Sequence, residues 1–478
     1  MADGLDSNTT PDVYVRNLQR ETTRLVSTIF GTNRAPSGHL GSGNPVISAD
    51  GRYVAFESQA PDLALGLTSI TNNVFLKDLV GENSRVLSPK GGGEVSQFSG
   101  RASNPVLSAN GDLVAFWGLP PMSYLYSIQN QNITNAFILY ASIIGFTSDA
   151  RGAVLTDRNN SVNVPAKTIY WRDNLEGTIR PLVRVSSSTD QFKGITQVSV
   201  SADGSKVVWV SDDPEFVMPQ NPNPVTDIFV CDVQTGVVST VSRPSGTGMS
   251  NGNSDSPSLS ADGRLVVFHS FATNLVPGDR NGASDIFIRD LQTGVTALVS
   301  HRSGDNASAS SGSYDPIISG NGTWIAFVST ADDLVPGVFD GIPQVFLAAV
   351  PDFSIYDGDE DGLPDAWELQ YFHNLNQTGD GDFDGDGISN RDEYLANTKP
   401  TDSQSFLKIL AVELGRTGTL TVRFKSEVGV TYQLQTAPSL KGSAFVPVGQ
   451  PVAGTGLEMQ FSVPIRDGMG FAQLSASR

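Results

Sequence analysis

The pattern P-x-[IL]-S-x-[DN]-G-x-x-[VI]-[AV]-[FW] recurs along most of this chain, and a repeat of that length constrains the architecture before any local structure is assigned. Clear copies turn at Gly51, Gly111, Gly204, Gly263 and Gly322, with spacings of 60, 93, 59 and 59 residues. The long interval holds a degenerate copy around Ser148-Asp149-Ala150-Arg151-Gly152, followed by Ala153-Val154-Leu155. A second pattern, sixteen residues long, runs from Asp12 to Ser27, Asn73 to Ser88, Asp227 to Ser242 and Asp285 to Ser300. Each copy reads as a strand, a tight turn such as Gln292-Thr293-Gly294, and a second strand. The front strands are apolar at successive positions, as in Val266-Val267-Phe268 and Ile325-Ala326-Phe327, so both faces are expected to be buried. Units of roughly 40 to 60 residues made of four antiparallel strands predict an all-β chain whose larger part is a β-propeller.

Six fronts predict six blades. The last, Pro316 to about Val350, lacks an outer strand, while the N-terminus begins with a back half. Closure of the last blade by Thr22 to Thr28 would account for both, although the spare strand Asp12 to Arg16 leaves seven blades open. The run SPSLSADGRLVVFHSFATNLVPGDRNGASDIFIRDLQTGVTALVS, Ser256 to Ser300, resembles the TolB-type, WD40-like propeller family, and the likeness extends over residues 1–351. The resemblance implies a fold. Propellers serve as enzymes, receptors and scaffolds alike, so it implies no activity.

Residues 352–404 have a different character. Asp357 to Glu368 (DGDEDGLPDAWE) and Asp382 to Glu393 (DFDGDGISNRDE) place oxygen donors at loop positions 1, 3, 5, 9 and 12, with glycine at 6, which is the EF-hand calcium loop written twice. The expected ligands are Asp357, Asp359, Asp361, the Leu363 carbonyl, Asp365 and Glu368 for one ion. For the second they are Asp382, Asp384, Asp386, the Ile388 carbonyl, Asn390 and Glu393. Starting the second loop at Asp380 would put Arg391 at position 12, and a guanidinium cannot ligate a cation. Residues 357–393 carry twelve acidic side chains and one basic one, −11 of the chain's net −19, so the segment should be loose without the ions and ordered by them. Short helices are expected after Pro364 and from Ser389 to about Leu395, with Trp367 in a small core rather than on a ligand platform. The segment resembles dockerin and thrombospondin type 3 calcium modules of bacterial surface proteins. The ending Asn397-Thr398-Lys399-Pro400-Thr401-Asp402 departs from their pattern by a lysine.

From residue 405 to 478 alternating apolar runs (Leu420 to Phe424, Thr431 to Leu434, Phe445 to Val448, Met459 to Val463) predict a small β-sandwich, similar to accessory domains of bacterial surface proteins. Asp6, Asn8 and Asp12, Asn221, Asn223 and Asp227, and Asp279, Asn281 and Asp285 share one spacing just ahead of a blade strand. Either a calcium site per loop or Asx turns would require those side chains.

Candidate catalytic groups are sparse. Gly248-Met249-Ser250-Asn251-Gly252 matches G-x-S-x-G, but in a Ser/Gly loop rather than a strand-to-helix turn. The four histidines, His39, His269, His301 and His373, form no spaced metal pair, and His269 occupies the slot of Glu57, Trp117, Val210 and Val328 in other repeats. The lone Cys231 precludes an intramolecular disulfide, and it fills the edge slot of Arg16, Lys77 and Arg289. Net −19 argues against nucleic acid and anionic membranes, no apolar run is long enough to span a bilayer, and the start MADGLDSNTT lacks signal-peptide regions. Calcium loops favour an extracellular, cell-surface or periplasmic setting, where calcium is millimolar. The expectation is a calcium-binding, non-catalytic module for a protein or polysaccharide ligand. The alternative is a carbohydrate-active enzyme, a lyase or glycosidase, with paired carboxylates such as Glu57 and a neighbouring blade's acid on a propeller face.

Overall fold

The computed structural model describes residues 8–17, 19–30, 38–64, 67, 71–87, 102–118, 122–139, 141–157, 168–184, 194–213, 225–337, 341–416, 418–439, 444–465 and 471–478. Among these residues six antiparallel meanders succeed one another, beginning at Ser42, Ala102, Ala141, Ile195, Ser254 and Ser313; the first five have four described strands and the sixth has three. The second and third strands of the first, fourth and fifth sheets are buried on both faces, most completely in Asp285–Asp290. The sixth sheet departs from the expectation: Trp324–Ser329 is buried on alternate residues, and Val345 and Leu347 of its third strand are exposed. Successive sheets share a core: Val208, Val210, Ile228 and Val230 of the fourth pack against Val266, Phe268 and Phe287 of the fifth. Stacked four-stranded sheets of this kind fit a β-propeller.

The repeated serine and aspartate explain the repeated turn. Ser48 Oγ donates to Asp50 Oδ1 at 2.6 Å and accepts the Tyr53 amide at 2.9 Å, while Gly51 stands at φ 69°. Ser260, Asp262 and Gly263 repeat the arrangement. In the degenerate copy Thr147 and Asp149 form the same bond, and Ala150 takes the glycine position at φ 59°. Neighbouring turns are tied together, Ala49 N–H to the Ala109 carbonyl at 2.9 Å and Ala261 N–H to the Gly320 carbonyl at 2.9 Å. Every clear copy also carries a bulge in its first strand, where Asn44, Asn104, Gln197, Ser256 and Asp315 adopt φ of 47 to 53°.

The sixteen-residue back half has its own lock. Ser27, Ser242 and Ser300 each donate a hydroxyl to Asp12, Asp227 and Asp285 at 2.6, 2.7 and 2.7 Å, and accept the amide of the residue after that aspartate. Ser88, the partner expected for Asn73, lies outside the described residues.

Two expectations are corrected here. Thr22–Leu25 pairs with Tyr14–Asn17 and not with the sixth sheet, because the hairpin closes on itself through the Asp12–Ser27 lock and buries Val13 and Val26 against Val54, Phe56 and Phe75. Cys231 is not at an edge: it is fully buried in the core between the third and fourth sheets, and burial pushes its thiol pKa up.

After the sixth sheet come helix α1 (Asp365–Tyr371) and helix α2 (Asn390–Ala396). Ser389 caps α2 by accepting the Asp392 amide at 3.2 Å, so the helix starts one residue later than expected, and Asn397 ends it at φ 55°. The tail has one sheet of Ile409–Leu414, Thr419–Lys425 and Glu458–Pro464, and a second centred on Thr431–Ala437, which pairs with Phe471–Ser477. Val422, Phe424, Phe461 and Val463 of the first meet Tyr432 and Leu434 of the second in one core. No helix among the described residues is long and apolar enough to cross a membrane.

Candidate metal centre

The two acidic loops share a backbone. Positions 4 and 6 have left-handed φ in both, at Glu360 (60°) and Gly362 (93°), then Gly385 (77°) and Gly387 (93°). Position 1 ties down each turn: Asp357 accepts the Asp361 and Gly362 amides at 3.2 and 2.9 Å, and Asp382 accepts those of Gly385 and Gly387 at 2.8 and 2.9 Å. Position 5 accepts the amide two residues on, Leu363 at 2.8 Å and Ile388 at 2.8 Å. Asp357 and Asp382 use both carboxylate oxygens on these amides, whereas Asp361 and Asp386 each keep one oxygen, Oδ2, buried and without a partner.

Carboxylate oxygens of Asp357, Asp359 and Asp361 come within 4.8 Å of one another, as do those of Asp359, Asp365 and Glu368, and those of Asp382, Asp384 and Asp386. Each group can hold a metal ion. Burial sharpens the point. Asp359 Oδ1, Asp361 Oδ2 and both Glu368 oxygens are buried with no hydrogen-bond partner, and so are Asp384 Oδ2, Asp386 Oδ2 and Glu393 Oε2. These are positions 3, 5 and 12 of both loops. An uncompensated buried carboxylate costs several kcal/mol, so two loops with the same orphaned oxygens fit a cation far better than they fit an empty fold.

The electrostatics agree. Burial, with the neighbouring acids second, pushes Glu368 up to about 9, Glu393 and Asp365 to about 7, and Asp359 to about 6. At Asp365 the Gly358 amide, donating at 2.7 Å, intervenes between those two effects and opposes them. Besides Asp357, Asp361, Asp365, Asp382 and Asp386, which accept amides, two further expected ligands have other partners: Asn390 Oδ1 accepts the Phe383 amide at 3.2 Å, and Glu393 Oε1 accepts the Thr398 hydroxyl at 3.2 Å. Leu363 is fully buried in the small core with Trp367 and Phe372, which places Trp367 inside rather than on a ligand face.

This segment touches both neighbours. Phe353, Tyr356, Ala366 and Leu369 pack onto the core shared by the fifth and sixth sheets, and Asn306 donates to Glu360 at 3.1 Å. On the other side Arg478 donates to Asn397 Oδ1 at 2.6 Å and lies over the Tyr394 ring at 5.1 Å. A cleft of about 330 Å³ opens where Asp359, Asp365 and Asn374 face Pro244, Ser245 and Thr296.

The sequence-level catalytic candidates are accounted for differently. Ser250 is fully buried and its hydroxyl donates to the Gly252 carbonyl at 2.6 Å, so it closes a local turn. Glu57 accepts from Asn44, Asn72 and the Asn104 amide, bracing the first sheet to the second. His269 packs edge-on against Phe271 and Tyr314, and burial lowers its pKa.

No family model and no curated protein matches the chain. Solved structures that resemble it include an oligogalacturonate lyase in complex with manganese, with 12% identity, 71% of this chain and 83% of that chain covered, and a TM-score of 0.44. The β-propeller domain of the Trilobed protease from Pyrococcus furiosus shows 12% identity over 70% of this chain and 88% of its own, at 0.43. A TolB-like protein from Agrobacterium tumefaciens shows 15% identity over 59% and 98%, at 0.34. Likenesses this remote carry no function across; they sit beside a chain whose stacked four-stranded sheets fit a β-propeller and whose acidic loops can hold a metal.

Proposed function

We propose that this is a secreted or surface-associated, non-catalytic scaffold in which two calcium ions, bound between residues 357 and 393, fix the joint between the propeller and the tail. The observation that carries the reading is the set of orphaned buried oxygens at positions 3, 5 and 12 of both loops. Asp357, Asp359, Asp361, the Leu363 carbonyl, Asp365 and Glu368 would hold one ion. Asp382, Asp384, Asp386, the Ile388 carbonyl, Asn390 and Glu393 would hold the other. All-oxygen donor sets of this size suit calcium. Bound calcium would neutralise acids that repel one another by about 1 kcal/mol per pair even in water at 4 Å. It would also order the segment that contacts the propeller through Tyr356 and Leu369 and the tail through Arg478. Extracellular calcium is abundant enough to fill loops of this type, which supports a location outside the cytosol. The ligand presented on this frame would be a protein or a polysaccharide, met by the blade loops.

Titration calorimetry on EDTA-treated full chain tests the clamp. Calcium is expected to bind, to raise the melting temperature, and to lose one ion in each of the Glu368→Gln and Glu393→Gln variants. No binding and no melting shift would overturn it. A polysaccharide panel scored for retention and for product release tests the rest, and turnover would select the enzyme instead.

A further inference from the structure

The loop ahead of the fifth sheet's third strand holds a buried acidic pair that the repeat itself does not explain. Of its three spaced polar residues, two have evident structural duties. Asn281 forms an Asx turn by accepting the Ala283 amide at 2.7 Å and straps the loop to the Ala309 carbonyl at 2.8 Å. Asn8 does the same with the Thr10 amide and the Gly38 carbonyl, both at 2.6 Å. Asp285 Oδ1 is the acceptor of the Ser300 lock.

Asp279 has no such duty. Its side chain is 6% exposed and neither carboxylate oxygen has a hydrogen-bond partner; Asp285, fully buried, leaves Oδ2 equally unpartnered. The two acids are close enough that Asp279 raises the Asp285 pKa, second only to burial among the effects that raise it, and none of the groups acting on either acid is cationic. The Asn281 amide and the Ser308 hydroxyl lie near enough to Asp279, and the Asn281 side chain to Asp285, to oppose burial without completing a hydrogen bond to the orphaned oxygens, while the Ser308 oxygen accepts the Arg280 and Asn281 amides at 2.9 and 3.2 Å. Three buried carboxylate oxygens without a hydrogen-bond partner call for a counter-ion, since leaving two buried acids uncompensated costs several kcal/mol each.

We propose that Asp279 and Asp285 bind one hard divalent cation, of which calcium is the natural candidate, with backbone carbonyls and water completing its shell. The ion pins residues 271–284 to the strand that follows. The fourth-sheet loop carries Asn221 where this one has Asp279 and so has one acid fewer, whereas the N-terminal loop carries Asp6 there and keeps both acids in sequence. Asn221, Asn223 and Asp6 of the related loops lie outside the described residues.

The site shares no residue with the 357–393 clusters, so the two can be removed separately. Full-length chain carrying Glu368→Gln and Glu393→Gln, stripped with EDTA and dialysed against calcium, is expected to retain one ion by elemental analysis, and Asp279→Asn added to it is expected to abolish that ion and the accompanying rise in melting temperature. If the double variant does not fold, Asp279→Asn in the otherwise unchanged chain must lower the ion count by one, with circular dichroism reporting the fold. An unchanged count on Asp279→Asn overturns the site. So does an ion-free melting temperature that rises on Asp279→Asn with the count unchanged, which would show that the two acids share a proton instead.

Discussion

Arg391 lies over Gly362: its guanidinium donates to the Asp361 carbonyl at 3.4 Å, and a Cβ built on Gly362 would come within 1.5 Å of Nη2. The side chain that cannot be a ligand of the second loop thus covers position 6 of the first and ties the two acidic loops together.

Gly362→Ala is expected to weaken calcium binding at both loops. Its φ of 93° is strained for any L side chain, at about 1 to 3 kcal/mol, and the new methyl must also displace Arg391. Gly387→Ala carries the same φ of 93° with open space around it, so it should affect chiefly its own loop. Titration calorimetry on the two variants measures the difference; equal effects would dissolve the coupling.

The acidic cluster sets a pH dependence whose sign follows from its cause. Asp359, Asp365, Glu368 and Glu393 are all pushed above their unfolded values, so the ion-free fold binds more protons than the unfolded chain. Stability from these groups is therefore fully present below about pH 4 and is lost as pH rises through the folded values toward about 9. The EDTA-treated chain should melt higher at pH 5 than at pH 8, and calcium should shrink or reverse that difference. Calcium binding at pH 7 should release protons, read by calorimetry in buffers of unlike ionisation enthalpy.

Trp367→Ala removes the largest side chain from the small core beneath the first loop, where it meets Phe372, Tyr371 and Tyr394. Such truncations cost about 3 to 5 kcal/mol, more than a module this small can absorb. Calcium affinity should fall by orders of magnitude, and limited proteolysis should cut within residues 357–396.

Ala150→Gly should stabilise the chain. Ala150 stands at φ 59°, where every clear copy of the turn has glycine, and relieving a left-handed alanine is worth about 1 kcal/mol. A higher midpoint in urea with an unchanged slope is the expected result.

What the sequence by itself determined is local. The S-x-[DN]-G spacing located the turns because hydroxyl, carboxylate and left-handed backbone lie within three residues of one another, and even the glycine-free copy at Ala150 was legible. The gathering of acids within each loop was legible for the same reason, as was Trp367 as core. Contacts between distant segments were decided only by the tertiary structure. Thr22–Leu25 had two possible partners of similar pattern, and the choice of Tyr14–Asn17 depended on packing against Val54 and Phe75, far along the chain. Nothing in the spacing of Asp279, Asn281 and Asp285 distinguished a turn from an ion site. The fold satisfies Asn281 and the near oxygen of Asp285 and leaves the Asp279 oxygens buried without a hydrogen bond, a difference invisible in the spacing because solvent access and hydrogen-bond supply are set by what packs around a residue and not by its neighbours in sequence.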